Sequence, residues 1–348
     1  MTLARHVGLA LLGAVVLFVL TVKLDPFRDF QIAEVAAYVA AVAGLTVLIG
    51  QSGQVSIGNG AFMAIGAYVT ALLLLHLQWP LEAVFAAGAA AAAVAGGIVG
   101  VAAARLRGPY LAGATLMLAV ALPSLADKYS GTLGGDQGLP VTITTPPWLG
   151  VTFPPTRWLA WICCAAALIT LILLANLGHS RIGRSWRAVR DNEVAASLAG
   201  LHVGRMQILA FVMSAACAGL GGALLATVQA IASPGAFTLT LSIGLLTAAI
   251  IGGLGSLIGS IWGSLILVFL PTYAQNVATS HGLSSSISSN VPIAIYGVVL
   301  ILVMLLFPAG IQGAIRRLLG PVTPAATAPL NALRRQAPAS EHQKEGIK

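Results

Sequence analysis

Arg184, Arg187, Arg190, Asp191 and Glu193 fall within ten residues of one another, in a chain of which only 8% is charged. Ala195 and Ala196 follow directly, and Gly200 closes the run. These residues form no catalytic constellation. What they can do is mechanical: a short charged helix with a small-residue face admits a partner's backbone, and a glycine just past its end marks where it stops. A second set, Gln51, Gln54, Ser56 and Asn59, interrupts two apolar runs. Its side chains are polar enough to line a pathway, and at the least they can satisfy backbone groups at a helix break.

Bond-making chemistry finds no residues to carry it. The sequence has no Gly-Lys dipeptide and therefore no Walker A phosphate loop. It has neither His-Glu-x-x-His nor Gly-x-Ser-x-Gly. His76, His179, His202 and His281 are isolated, without ligand spacing. Gly252-Gly253-Leu254-Gly255-Ser256 has the look of a nucleotide loop, yet it follows no strand and joins two apolar runs, which favours close helix packing. Cys163, Cys164 and Cys217 all lie inside apolar runs and read as small packing residues, not as a disulfide framework.

The elements that must position these residues are membrane spans. Of 348 residues, 58% are hydrophobic, and the mean hydropathy is +0.93. A soluble domain needs roughly 25% charged residues to cover its surface, so a bilayer must supply the solvent here. Runs near the ~20 residues a helix needs to cross lipid occur at 7–22, 33–50, 57–77, 82–104, 110–126, 158–177, 207–231, 237–254, 257–274 and 291–308. The first has no small-residue cleavage site after it and reads as an uncleaved span. Ten spans with the N-terminus inside put fourteen of the eighteen lysines and arginines in the cytoplasm, and both termini with them. That asymmetry assigns the basic balance to membrane orientation and leaves no role for nucleic acid.

The expected fold class is therefore an all-α polytopic membrane protein with about ten transmembrane helices. Residues 1–319 form the membrane domain, with an outer loop at 127–157 and an inner loop at 178–206. Residues 320–348, rich in alanine and proline, form a disordered cytoplasmic tail. No carboxylate or histidine sits at mid-span, which points away from a proton-driven carrier.

Within the inner loop the spacing predicts one helix over 184–199. At 100° per residue, Ala188, Asn192, Ala195, Ala196 and Ala199 share a face, and the three arginines occupy another flank. Asp191, four residues after Arg187, is placed for a helix ion pair. Two readings fit this helix. Anchoring on anionic headgroups accounts for the arginines and partly for Trp186; docking onto a cytosolic partner accounts also for the acids and the alanines.

Here a resemblance enters. Glu193-x-Ala195-Ala196-x-x-x-Gly200 resembles the coupling loop of ABC importer permeases, with Val194 inserted before the alanine pair as in the branched-chain amino acid importers. Gly50-Gln51-Ser52-Gly53-Gln54-Val55-Ser56-Ile57-Gly58-Asn59-Gly60-Ala61-Phe62 and Arg107-Gly108-Pro109-Tyr110-Leu111-Ala112, with Thr115-Leu116, resemble further family signatures. So do Gly134-Gly135-Asp136-Gln137-Gly138, Ile251 to Ser256, and Phe307-Pro308-Ala309-Gly310-Ile311, although Leu133 and Ala309 depart from the usual residues.

Over residues 33–315 the chain is similar to the LivM-type permease subunits of branched-chain amino acid importers. The resemblance implies an inner-membrane transport subunit of a bacterial cell that is not an enzyme and binds no cofactor itself. ATP and Mg would be bound by two cytosolic ATPase partners, beside a LivH-type second permease and a periplasmic solute-binding protein. Arg184, Arg187, Asp191, Glu193, Ala195, Ala196 and Gly200 would couple to an ATPase. Gln51, Gln54, Ser56, Asn59, Tyr110 and Thr115 would line the substrate pathway. Relatives that carry urea or short amides share these motifs, and a stand-alone carrier or channel for a small neutral solute is the other reading.

Overall fold

Long apolar runs almost free of charge can satisfy their backbone in lipid only by forming helices, and helices are what these runs form where they are described. The computed structural model describes residues 25–77, 79–105, 109–143, 154–280 and 310–319, together with 297–298, 301–302 and 305. Among these residues, six helices are long and apolar enough to cross a membrane: α1 (Pro26–Ser52), α2 (Asn59–His76), α3 (Leu81–Ala103), α4 (Pro109–Lys128), α6 (Pro155–His179) and α9 (Val203–Gln229). Between them lie the short helices α5 (Ser130–Leu133), α7 (Arg181–Asp191) and α8 (Glu193–Leu198). The hairpin of α10 (Leu239–Gly252) and α11 (Leu257–Ser280) follows, and then α12 (Gly310–Leu319). The chain is an all-α, multi-pass membrane protein.

Seven of the expected spans thus coincide with described helices, and the run at 237–254 forms the shorter, 14-residue α10. The expected span at 7–22 and the tail at 320–348 lie outside the described residues, as does most of the span at 291–308.

α9 is the centre of the bundle. It is apolar all round, and its neighbours approach on three sides because small residues let them. Gly219 faces Gly88 and Ala92 of α3, Gly221 faces Ala37 and Ala41 of α1, and Gly222 abuts the Met63 carbonyl of α2. In lipid no hydrophobic force drives helices together, so such close backbone contact supplies the packing energy. Cys163, Cys164 and Cys217 are free and buried, as expected of packing residues.

At the end of the bundle where α4 and α9 finish, a two-residue ladder joins the loop after α4 to the link between α9 and α10, with Leu139 opposite Ala232 and Pro140 opposite Ile231. The glycine-rich turn before it is a 3-10 segment, Gly135–Gln137, held between left-handed Gly134 and positive-φ Gly138. An ion pair that hydropathy does not reveal ties α6 to α1: Arg157 Nε donates to the fully buried Asp29 Oδ2 at 3.4 Å.

Candidate functional site: a broken helix beneath an arginine clamp

α1 stops at Ser52 because Gly53 turns left-handed, with φ of 75°. Its N–H returns to Ile49 O, and Gln54 N returns to Leu48 O. The chain then runs without helix until Asn59 starts α2. A helix start inside an apolar bundle leaves orphan N–H groups, and hydroxyls take them up. Ser56 Oγ accepts from Gly58 N at 3.3 Å, Thr115 Oγ1 of α4 accepts from Ile57 N at 3.0 Å, and Ser242 Oγ of α10 accepts from Gly60 N at 3.2 Å. Asn59 Nδ2 donates to Ser214 Oγ of α9 at 3.4 Å. Ser214 lies eleven residues into α9, so α2 begins roughly 16 Å along that helix at a rise of 1.5 Å per residue.

The six predicted pathway residues therefore separate. Ser56, Asn59 and Thr115 gather around the start of α2. Gln54, buried beside them in sequence, has no partner among the described residues for either amide atom, and Asn59 Oδ1 has none either. Gln51 is turned elsewhere: it lies against Gly178 of α6 and borders a cavity of about 400 Å³ between α6 and α11. Tyr110 does not join them at all. It is exposed on α4, and five residues along a helix carry it well round from Thr115. Ser214 and Ser242 are members that sequence reasoning missed; their only signal is a hydroxyl within an otherwise apolar run.

Thr115→Val tests this ring directly. Valine keeps the shape but removes the acceptor, leaving Ile57 N–H orphaned at a cost of about 1–3 kcal/mol. The thermal midpoint of the detergent-solubilised chain should fall, whereas Thr115→Ser should hold it near the wild-type value.

The loop between α6 and α9 is two helices, which corrects the expectation of one over 184–199. Asn192 adopts an extended conformation, with φ of −160° and ψ of 107°, and its side chain accepts from Ala195 N at 2.9 Å. Asparagine gains more by capping a new helix than by continuing an old one, and Glu193 in the first turn suits the positive end of the helix dipole. α7 in turn starts earlier than expected, at Arg181, because Ser180 Oγ accepts from Ile182 N and Gly183 N. α8 ends in a Schellman motif: Gly200 N returns to Ser197 O and Leu201 N to Ala196 O. Gly200 is left-handed, with φ of 84°.

The break dissolves the single alanine face. Ala196 is buried at 4% exposure, whereas Ala188, Ala195 and Ala199 are exposed. The apolar side chains that α8 presents outward are Val194 and Leu198.

The expected Arg187–Asp191 pair is replaced as well. Asp191 Oδ1 accepts from Arg190 Nε and Nη2 at 3.1 and 2.9 Å, and Arg187 Nη1 donates to Gly178 O at 3.0 Å. Arg184 Nη1 donates to His179 O at 3.1 Å, and Arg190 Nη1 donates to Gly50 O. Three arginines spaced three apart on α7 thus clamp the C-terminal carbonyls of α6 and α1, where cations are favoured. Glu193 Oε1 accepts from Gln207 Nε2 at 3.1 Å. Trp186 is no membrane anchor: it is fully buried, and its Nε1 donates to Met206 O at 2.9 Å, pinning α7 to the start of α9.

A further expectation concerned the glycines at 252–255. They form the tight α10–α11 turn, where Gly252 and Gly259 meet backbone to backbone, and no phosphate cradle is needed to explain them.

Residues 27–308 match the family described as branched-chain amino acid transport system, permease component. Over 254 residues the chain is 31% identical to the high-affinity branched-chain amino acid transport system permease protein LivM of Escherichia coli (strain K12), covering 66% of this chain and 60% of that protein. To LivH of the same organism it is 28% identical over 296 residues, covering 80% of this chain and 92% of LivH. It is also 29% identical over 252 residues to the ribose import permease protein RbsC of that strain, covering 70% and 75%. The chain spans about 60% of the length of the curated LivM relatives it matches. No solved structure matches it.

Proposed function

The chain belongs to the family of branched-chain amino acid transport permeases, and from that premise we propose that it is the membrane subunit of an ATP-driven importer for branched-chain or related amino acids. It is not an enzyme: a LivH-type second permease completes the pathway, two cytosolic subunits bind and hydrolyse ATP with Mg, and a periplasmic solute-binding protein delivers the cargo. The observation that carries this reading is the helix break at residues 53–58. Non-helical backbone within a membrane bundle is tolerated where it faces protein or a water-filled path, and transporters place their sites at such discontinuous helices. Both amide atoms of buried Gln54, and Oδ1 of Asn59, have no partner among the described residues, and a polar solute or its water can use them.

In this reading α8 is the coupling helix. It sits in a groove of an ATPase, while α7 clamps it to the ends of α1 and α6. The protein then lies in the bacterial inner membrane with ten spans and both termini cytoplasmic. Single cysteines in a cysteine-free background check the orientation: an impermeant reagent on intact cells should label Ser130→Cys and spare Ser197→Cys. Labelling of both, or of Ser197→Cys alone, sinks the orientation.

The function itself is tested by reconstitution with the cognate ATPases, second permease and binding protein. ATP turnover and uptake should respond to leucine, isoleucine or valine. A response only to urea, short amides or ribose, or uptake that ignores ATP, overturns the assignment.

A further inference from the structure

Of Arg184, Arg187 and Arg190 on α7, Arg190 alone hydrogen-bonds to α1. Its Nη1 donates to Gly50 O, a last-turn carbonyl that the helix itself leaves orphaned, and its Cγ lies where a Cβ on Gly53 would come within 2.8 Å. The same guanidinium holds Asp191 through Nε and Nη2, so one planar fork joins the end of α1 to the last residue of α7. One residue further on, Asn192 caps α8. On the other side, Gly53 opens the non-helical stretch that carries Gln54 and Ser56 to the start of α2. The end of α1 is also braced on the α10–α11 turn, since a Cβ on Gly50 would run into Gly255 N. A shift of α8 that tilts α7 therefore pulls on the one carbonyl immediately above the break.

We propose that Arg190 is a positioning residue that carries movement of the cytoplasmic loop to the helix break at 53–58. The proposal rests on the importer reading above. A bidentate, charged fork suits this task, because it transmits direction as well as force and cannot lose its charge. Arg190 lies outside the membrane spans and its side chain is 41% exposed, so its loss leaves the bundle and the outward face of α8 intact.

The test uses the complete complex in proteoliposomes, with leucine and its binding protein as the probe and Arg190→Ala as the variant. Subunit stoichiometry and basal ATP turnover should match the wild type, while leucine carried per ATP should fall about tenfold, the effect of losing one charge-assisted hydrogen bond. A second readout follows the break itself. In a cysteine-free background, the labelling rate of Val55→Cys, an exposed position in the loop, should change with ATP in the wild type and become insensitive to ATP in Arg190→Ala. Unchanged leucine per ATP, an unchanged ATP response at Val55, or loss of the ATPases from the complex each overturns the proposal. A wild-type complex that neither transports nor responds at Val55 overturns the importer reading with it.

Discussion

Gly222→Val is expected to abolish recovery of folded protein from membranes. A Cβ at Gly222 would run into the Met63 carbonyl, and a few residues along the same crossing a Cβ at Gly66 would strike the Gly219 carbonyl. α2 and α9 therefore touch backbone to backbone. Where a flexible side chain can yield, overpacking costs about 1–3 kcal/mol. A carbonyl cannot rotate aside without breaking its own helix, so the helices must part. Parting them also loosens α1 and α3, which pack on α9 through Gly221 and Gly219. Against a total stability of about 5–15 kcal/mol, such a loss is decisive. The yield of monodisperse protein in detergent and its thermal midpoint report the effect. Gly113→Ala, where an added Cβ meets nothing within 4 Å, is the matched control and should be neutral. A Gly222→Val chain that melts like the wild type would show that this crossing does not hold the bundle together.

On the importer reading proposed above, Leu198→Glu is expected to release the ATPases from a chain that still inserts and folds. Leu198 and Val194 are 85% and 69% exposed and stand four residues apart, hence on one face of α8. Two large apolar side chains on one face of a short helix in a charged loop form a patch that a partner would cover. A central apolar anchor is worth about 2 kcal/mol or more at an interface, so affinity should drop at least about thirtyfold. Co-purification of the ATPases with the affinity-tagged permease measures it, and an undiminished yield would mean docking occurs elsewhere. Ala196→Trp, the substitution that a single alanine-faced helix would have suggested, tests something else. Ala196 is buried within this chain, so a tryptophan there would displace α8 before any partner arrived.

The sequence by itself determined the class of molecule, because solvent demand is set by composition. A chain with 8% charge cannot cover a water-facing surface, and uninterrupted apolar runs can only be helices in lipid. The motif segments were likewise legible, since the glycines at Gly53 and Gly200 end helices by their own backbone preference. Only the tertiary structure decided how these pieces meet. Nothing local in Ser214 or Ser242 says that they serve the start of α2; that depends on which helices α9 and α10 pack against. Periodicity alone ran one helix through Asn192, because it counts faces and does not weigh a side-chain cap against one more turn. The partners of Arg184, Arg187 and Arg190 lay furthest from reach. They are the carbonyls left over at the ends of α1 and α6, and a carbonyl is left over only once the fold has fixed where each helix stops.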